Sequence, residues 1–401
     1  METYIDRPVY LEQLKRFKDT QIIKVVTGMR RCGKSTLFEL YIKYLKASGV
    51  KESQIIHVNL DDPLYFLLKD FNELYNLINE KVVTDQIYYV FIDEVQQIPL
   101  FEKAVSGFYI KKNIDLYLTG SNAFLLSGEL ATLLSGRYVE IKMLPLSFAE
   151  YRSALKEHSD LISIYQRYVN LGSLPYILQL KTATDVLLYL EGVFFSVVMK
   201  DIVKRHGIRD VAILEDVIRF MFDNIGNLSS SNKISDTLTS MGRKTSVPTV
   251  ESYLQALTDS FVLYRAGRYD IKGKKYLATG SKYYISELGL RRYLLGERGM
   301  DYGHILENVV FLELKRRGYE VYIGYQSQGE VDFVAIKEGA LSYYQVAYTL
   351  IDNEGKTLQR ELKPLFSIKD HYPKYLLTMD NILSSSHEGV KQLNVLTWLL
   401  E

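Results

Sequence analysis

Eight residues near the start of the chain restrict its fold more than any other feature. Ile22 to Thr27 (IIKVVT) form a short run, largely apolar and β-branched, of the kind expected for a strand buried on both faces. Gly28-Met29-Arg30-Arg31-Cys32-Gly33-Lys34-Ser35 follows at once and satisfies GxxxxGK[ST]. Ser35 then opens an amphipathic helix with apolar Leu37, Leu40, Tyr41, Tyr44 and Leu45. The glycines let the backbone curl so that successive N–H groups and the helix N-terminus face one anion. Lys34 is placed to reach β- and γ-phosphates and Ser35 to ligate Mg²⁺, while Gly28, Met29, Arg30, Arg31, Cys32, Gly33 and Thr36 complete the cradle. The expected ligands are ATP and Mg²⁺, on an α/β fold whose parallel sheet is flanked by helices.

A second signal is independent of the first. Ile87 to Ile92 (IYYVFI) is another buried-strand run and ends in Asp93-Glu94. That is the pattern of a Walker B strand, with Asp93 holding the Mg²⁺ shell and Glu94 polarising the attacking water as general base. An acidic strand end that merely caps a helix is the plainer alternative. Between the two motifs lies a further strand candidate, Gln54 to Leu60, followed by Asp61-Asp62-Pro63 and a helix from Phe71 to Val83. A strand intervening there fits the additional-strand P-loop NTPases. After a helix over Phe101 to Tyr109, a fourth strand (Asp115 to Thr119) ends in Gly120-Ser121-Asn122, so Ser121 and Asn122 are candidates to sense the γ-phosphate or, more simply, to cap the next helix. Arg137 precedes a fifth strand, Tyr138 to Met143, and is either a finger reaching a neighbouring subunit's site or a partner of a local carboxylate.

Composition excludes several classes. A chain of 401 residues is expected to form two to four domains. Its 47% hydrophobic and 24% charged residues carry no disorder signature. A net charge of +1 provides no global field for nucleic acid or anionic lipid. The single cysteine, Cys32, excludes an internal disulfide and a Cys-based zinc cluster, and fits a reducing cytoplasm. The N-terminus lacks the features of a secretory signal. Val186 to Met199, the most apolar stretch, is interrupted by Glu191 and is short of the roughly 20 residues that span a bilayer, so it reads as a buried helix and no membrane contact is expected.

The chain resembles the bacterial and archaeal AAA-type ATPases that carry a C-terminal domain of unknown function. The resemblance rests on GMRRCGKS, NLDDP, VFIDEVQ, LTGSN and LSGRYVEIKMLPLSFAEY, continued by LGSLPY near Gly172 to Tyr176 and DIVKRHGIRD at Asp201 to Asp210. It implies ATP binding and hydrolysis in residues 1–150, followed by a helical lid or connector over 151–227. It further implies a winged helix over 228–290 and a restriction-endonuclease-like α/β module of PD-(D/E)xK type over 291–401.

The later residues are consistent with that order. Arg205, His206 and Arg209 form a basic cluster that reads as a solvated helix face. A helix from Asn232, a turn through Arg243 to Thr245 and a second helix from Ser246 precede strands near Phe261 to Tyr269 and Lys275 to Ile285. The second helix carries Glu251, Gln255 and Asp259 and is poorly suited to phosphates. Arg265, Arg268, Lys272, Lys274 and Lys275, interleaved with Tyr264, Tyr269 and Tyr276, could instead bring the wing onto DNA; a purely structural or protein-contacting wing is the alternative. In the last module Glu307 and Asp332 occupy two nuclease positions, but Gln345 and Ala347 stand where an acid and a lysine belong. Nuclease catalysis is expected to be lost unless Lys337 or Lys363 substitutes. The leading expectation is therefore an ATPase that couples nucleotide state to rearrangement of its C-terminal modules, with a protein partner and a homo-oligomer left open. The rivals are a slow nucleotide-gated switch or scaffold and an ATP-assisted nuclease.

Overall fold

The computed structural model describes residues 4–401 except 84, 122–133, 135, 156–158, 297–300, 328, 352–355 and 382–384, and of 197, 198, 200, 278 and 279 only the backbone. The chain divides into two compact units, Met1–Pro145 with Asp259–Phe261, and Leu146–Thr258 with Val262–Glu401.

The first unit holds one parallel sheet of β1 (Ile23–Thr27), β2 (Ile55–Asn59), β3 (Tyr88–Asp93), β4 (Ile114–Gly120) and β5 (Tyr138–Lys142), in the order β2-β3-β4-β1-β5. The strand that separates β1 from β3 in space is thus β4, from further along the chain. The Gln54 to Leu60 segment, which intervenes in sequence, takes the edge as β2. Alternation along each strand feeds two cores: Val25, Val90, Ile92 and Leu118 face one helix layer, while Val26, Phe91 and Tyr117 face Leu37, Phe38 and Tyr41 of the helix Lys34–Ala47. Each large apolar side chain so buried contributes about 1.5–3 kcal/mol. The exception within β1 is Lys24, fully buried and paired with Asp115 of β4, whose carboxylate also accepts from the Tyr117 hydroxyl at 2.8 Å. Burial pushes the Lys24 ammonium down and the Asp115 carboxyl up, each opposed by the other's charge.

The second unit begins with helices Phe148–Ala154, Leu161–Leu171, Ala183–Val193, Ile202–His206 and Val211–Asp223. Side-chain caps at Ser147, Asp160, Thr182 and Asp210 start four of them. The stretch expected as a buried helix continues past Val193 in wider turns, Phe194–Asp201, and is only half buried: Val186, Leu190 and Phe194 are inside, but Leu188 and Phe195 face solvent. No helix among the described residues is long and apolar enough to cross a membrane. Helices Ser231–Ser240 and Val247–Asp259 precede a hairpin of β6 (Leu263–Asp270) and β7 (Lys275–Ile285). After the helices Leu288–Leu295 and Tyr302–Arg316 come β8 (Glu320–Gln326), β9 (Gly329–Lys337), β10 (Ala340–Ala347), the helix Lys356–Phe366, β11 (Lys374–Thr378), β12 (Ser385–His387) and β13 (Val390–Asn394). All eight strands share one sheet, β12-β13-β11-β10-β9-β8-β6-β7. The hairpin expected as a wing therefore joins the last module directly, through parallel pairing of Arg268–Asp270 with Ile323–Tyr325.

Within this unit the LGSLPY segment has a defined role. Fully buried Glu287 accepts from the Ser173 N–H and hydroxyl, both at 2.9 Å, and from the Gly289 N–H at 2.8 Å. Gly172 has φ +100°, and a Cβ there would lie 2.0 Å from Glu287 Oε1, so only glycine fits. Burial pushes the Glu287 carboxyl up to about 7, against the pull of these donors. The folded chain then keeps a proton that the unfolded chain, with the ordinary value of 4.5, releases. Stability from this group is full below pH 4.5 and is lost as pH rises through about 7. Glu287→Gln should flatten the decline in melting temperature between pH 5 and 8 (about the window in which the group changes charge). A variant curve parallel to wild type would remove Glu287 as the cause.

Candidate functional site

The carboxyl ends of β1, β3 and β4 converge, and in a parallel sheet that edge is where loops and helix N-termini gather around ligands. Gly28, just after β1, has φ +152°, and a Cβ on it would stand 2.2 Å from the Met143 carbonyl oxygen. Gly33 has φ +103° and Arg31 φ +66°, and these positive values bend the loop before the helix Lys34–Ala47. Arg7, unremarkable in the sequence, holds the loop from behind. Its buried guanidinium donates to the Cys32 carbonyl at 2.9 Å and to the Leu144 carbonyl at 2.6 Å. Cys32 is buried, its thiol pushed up by that burial, so it is a packing residue of the loop.

Three buried charges meet at this edge. The Lys34 ammonium lies 3.4 Å from Glu94 Oε1 and donates to the carbonyls of Gly28 and Met29 at 3.2 and 3.3 Å. Glu94 follows β3 directly with φ +54°, a left-handed value that a glutamate adopts only where its surroundings hold it. The hold is Thr119 of β4: its hydroxyl accepts from the Glu94 N–H at 2.9 Å and donates to Asp93 Oδ1. Burial pushes the Asp93 carboxyl up, countered by the hydroxyls of Ser35 and Thr119. For Glu94 burial also acts upward, but Lys34, with Gln96, Arg30 and Ser121, holds the carboxyl below its ordinary value.

Asp93 Oδ2 is buried and has no hydrogen-bond partner among the described residues. An orphaned carboxylate oxygen beside the Ser35 hydroxyl is the donor set of hard oxygens that suits Mg²⁺. The residues therefore fit the metal expected from the sequence, and Ser35 and Asp93 are the ones that would hold it.

A family model described as an AAA domain matches residues 20–152, and a second, a domain of unknown function (DUF8612), matches residues 162–301. An uncharacterized protein of Haemophilus influenzae is 42% identical over 402 residues, covering 99% of each chain. The chain belongs to this family of AAA-domain proteins. The uncharacterized protein MJ1544 of Methanocaldococcus jannaschii is 29% identical over 404 residues, 93% of this chain and 84% of its own. Among solved structures, the Walker-type ATPase PABY2304 of Pyrococcus abyssi is similar at 15% identity and a TM-score of 0.48, over 73% of this chain and 96% of its own.

Within the AAA domain the structure brings Lys34, Ser35, Asp93, Glu94 and Ser121 together. Asn122 lies outside the described residues. Arg137 is elsewhere: it precedes β5, whose Tyr138 pairs with Ile23 at the amino end of β1, and its guanidinium sits 5.2 Å from the Tyr109 ring. Strand rise of roughly 3.3 Å per residue over β1 separates it from its own P-loop, so it cannot serve that site within the chain. Sequence reasoning missed Arg7, Thr119 and Gln96. Thr119 lies inside an apolar strand, and only the sheet order reveals that it faces Asp93.

In the second unit a separate cluster forms around Lys282 of β7. Its buried ammonium lies 3.0 Å from Glu307 Oε1, 2.7 Å from Glu330 Oε1 and 4.0 Å from Asp332 Oδ1. Gln345 donates to Glu361 at 2.9 Å, and Glu307 accepts from the Tyr284 hydroxyl at 2.6 Å. Neither expected substitute lysine is here: Lys337 donates to the Arg317 carbonyl and Lys363 is exposed. The basic residues of the hairpin also disperse. Arg265 donates to Ser281 at 2.8 Å and Arg268 stacks on Tyr325 at 4.3 Å, leaving Lys272, Lys274 and Lys275 exposed at the tip.

Thr119→Val should strand the Asp93 oxygen and the Glu94 N–H together, lowering the stability of the AAA domain by about 1–3 kcal/mol in denaturant unfolding. An unchanged midpoint would show that the hydroxyl is not the lock.

Proposed function

We propose that the chain is a Mg²⁺-dependent ATPase whose nucleotide state governs rearrangement of its C-terminal unit. The observation that carries this is the buried triad of Lys34, Asp93 and Glu94 behind a glycine-bent phosphate loop, with the Asp93 Oδ2 atom left for a cation. Backbone N–H groups of 28–34 bind the phosphate chain, and Lys34, now resting on Glu94 and two carbonyls, turns to the β- and γ-oxygens. Mg²⁺, held by Ser35 and Asp93, would neutralise phosphate charge. Glu94, kept ionised by its cationic neighbour, accepts the proton of the attacking water. Ser121, with Asn122, is assigned the role of reporting on the γ-phosphate. Arg137, exposed and remote from its own loop, is suited to the site of a second copy.

For the C-terminal unit we read the helices Ser231–Ser240 and Val247–Asp259 with the β6–β7 hairpin as a winged helix, and the remainder as a PD-(D/E)xK-like module without nuclease activity. Lys282 supports the latter, because its ammonium sits among Glu307, Glu330 and Asp332 and offsets part of the negative charge that would otherwise draw in a divalent ion. Supercoiled plasmid should remain intact with Mg²⁺ or Mn²⁺; nicking would restore the nuclease reading. DNA contact, where it occurs, falls to Lys272, Lys274 and Lys275.

Lys34→Ala should abolish ATP binding measured by calorimetry, and unaltered affinity would sink the assignment. Glu94→Gln should keep ATP and lose hydrolysis, since an amide cannot take the proton; wild-type turnover would remove Glu94 from the role. If Arg137 acts on a second copy, specific activity should rise with protein concentration, and Arg137→Ala should abolish the rise. Slow turnover that is flat with concentration would favour the switch.

A further inference from the structure

Gln96 lies two residues beyond Glu94 in the short turn Val95–Gln97. Its Nε2 donates to Glu94 Oε2 at 2.5 Å and lies 3.4 Å from Ser121 Oγ. A carboxylate can only accept, so the amide nitrogen must face Glu94 and the orientation of the amide is fixed by chemistry. Its oxygen, Oε1, is then left buried with no hydrogen-bond partner among the described residues. A buried amide oxygen without a donor costs about 1–3 kcal/mol, and such an atom calls for a donor that arrives with the ligand. Glu94 Oε2 is engaged by Gln96, while Oε1 faces Lys34, the cation that the ATPase reading turns toward the phosphates. Among the described residues, Gln96 Oε1 is an unpartnered acceptor beside the base.

We propose that Gln96 is a positioning residue for hydrolysis: its N–H aims the Glu94 carboxylate, and its Oε1 accepts one O–H of the attacking water, fixing the water's lone pair on the γ-phosphorus. The inference rests on the ATPase reading given above. In the step itself the water oxygen bonds to the γ-phosphorus, and the bond from that phosphorus to the β,γ-bridging oxygen breaks with its electron pair leaving on ADP. The second water proton passes to the Glu94 carboxylate. Gln96 exchanges no proton and orients both groups.

Gln96→Leu keeps side-chain volume and removes both polar atoms. The expected result is a fall in kcat of about 10- to 100-fold with the affinity for a non-hydrolysable ATP analogue and KM within about twofold of wild type, the split expected of a residue acting only in the chemical step. Gln97→Leu is the control, because Gln97 donates to exposed Asp61 and should leave kcat unchanged. Analogue affinity also reports that the variant has folded. Unchanged or raised kcat in Gln96→Leu, or a loss of affinity as large as the loss of rate, would overturn the assignment. A wild-type chain that binds ATP with Mg²⁺ and never splits it would instead overturn the hydrolytic reading, and the role of Gln96 with it.

Discussion

The nucleotide site depends on keeping three charged side chains buried together. Lys34, Asp93 and Glu94 are all out of water, and each pays a desolvation cost that only its neighbours can offset. Thr119 is the pivot, since one hydroxyl serves both the Asp93 carboxylate and the Glu94 backbone across the β3–β4 boundary. That contact is possible only because β4 lies between β1 and β3. Sheet order therefore fixes the geometry of the chemistry. The glycines at 28 and 33 supply the bends, and Arg7 ties the loop to the chain leaving β5.

Much of this was legible in the sequence, for physical reasons. The P-loop and the Asp93-Glu94 strand end are local patterns whose residues act within a few positions of one another, and the five strands follow from short apolar runs. What could not be read is what the fold brings from a distance. Thr119 and Arg7 act across the sheet, and Gln96 looks like any exposed amide until its partner is seen. The fourth strand's place depends on topology, which spacing along the chain does not encode. Lys24 sits in an otherwise apolar run and is tolerated only because Asp115 pairs with it from the neighbouring strand.

The C-terminal unit shows the same limit more sharply. The replacements at Gln345 and Ala347 were visible, but the lysine set among the remaining carboxylates comes from β7, outside the module that the sequence suggested. Strand pairing between the hairpin and β8 makes that possible, and it also draws Arg265 and Arg268 into contacts of their own. A basic cluster in sequence became two engaged arginines and three lysines at a turn.

The most direct test of the account is a calorimetric titration of the wild-type chain with ATP, run with Mg²⁺ and again with Mg²⁺ removed by chelation. One ATP bound per chain, with affinity that depends on Mg²⁺, is the predicted result, because the orphaned Asp93 oxygen and Ser35 then gain their ligand. Absence of binding, or binding indifferent to Mg²⁺, would contradict the central claim that these buried charges form a metal-assisted nucleotide site.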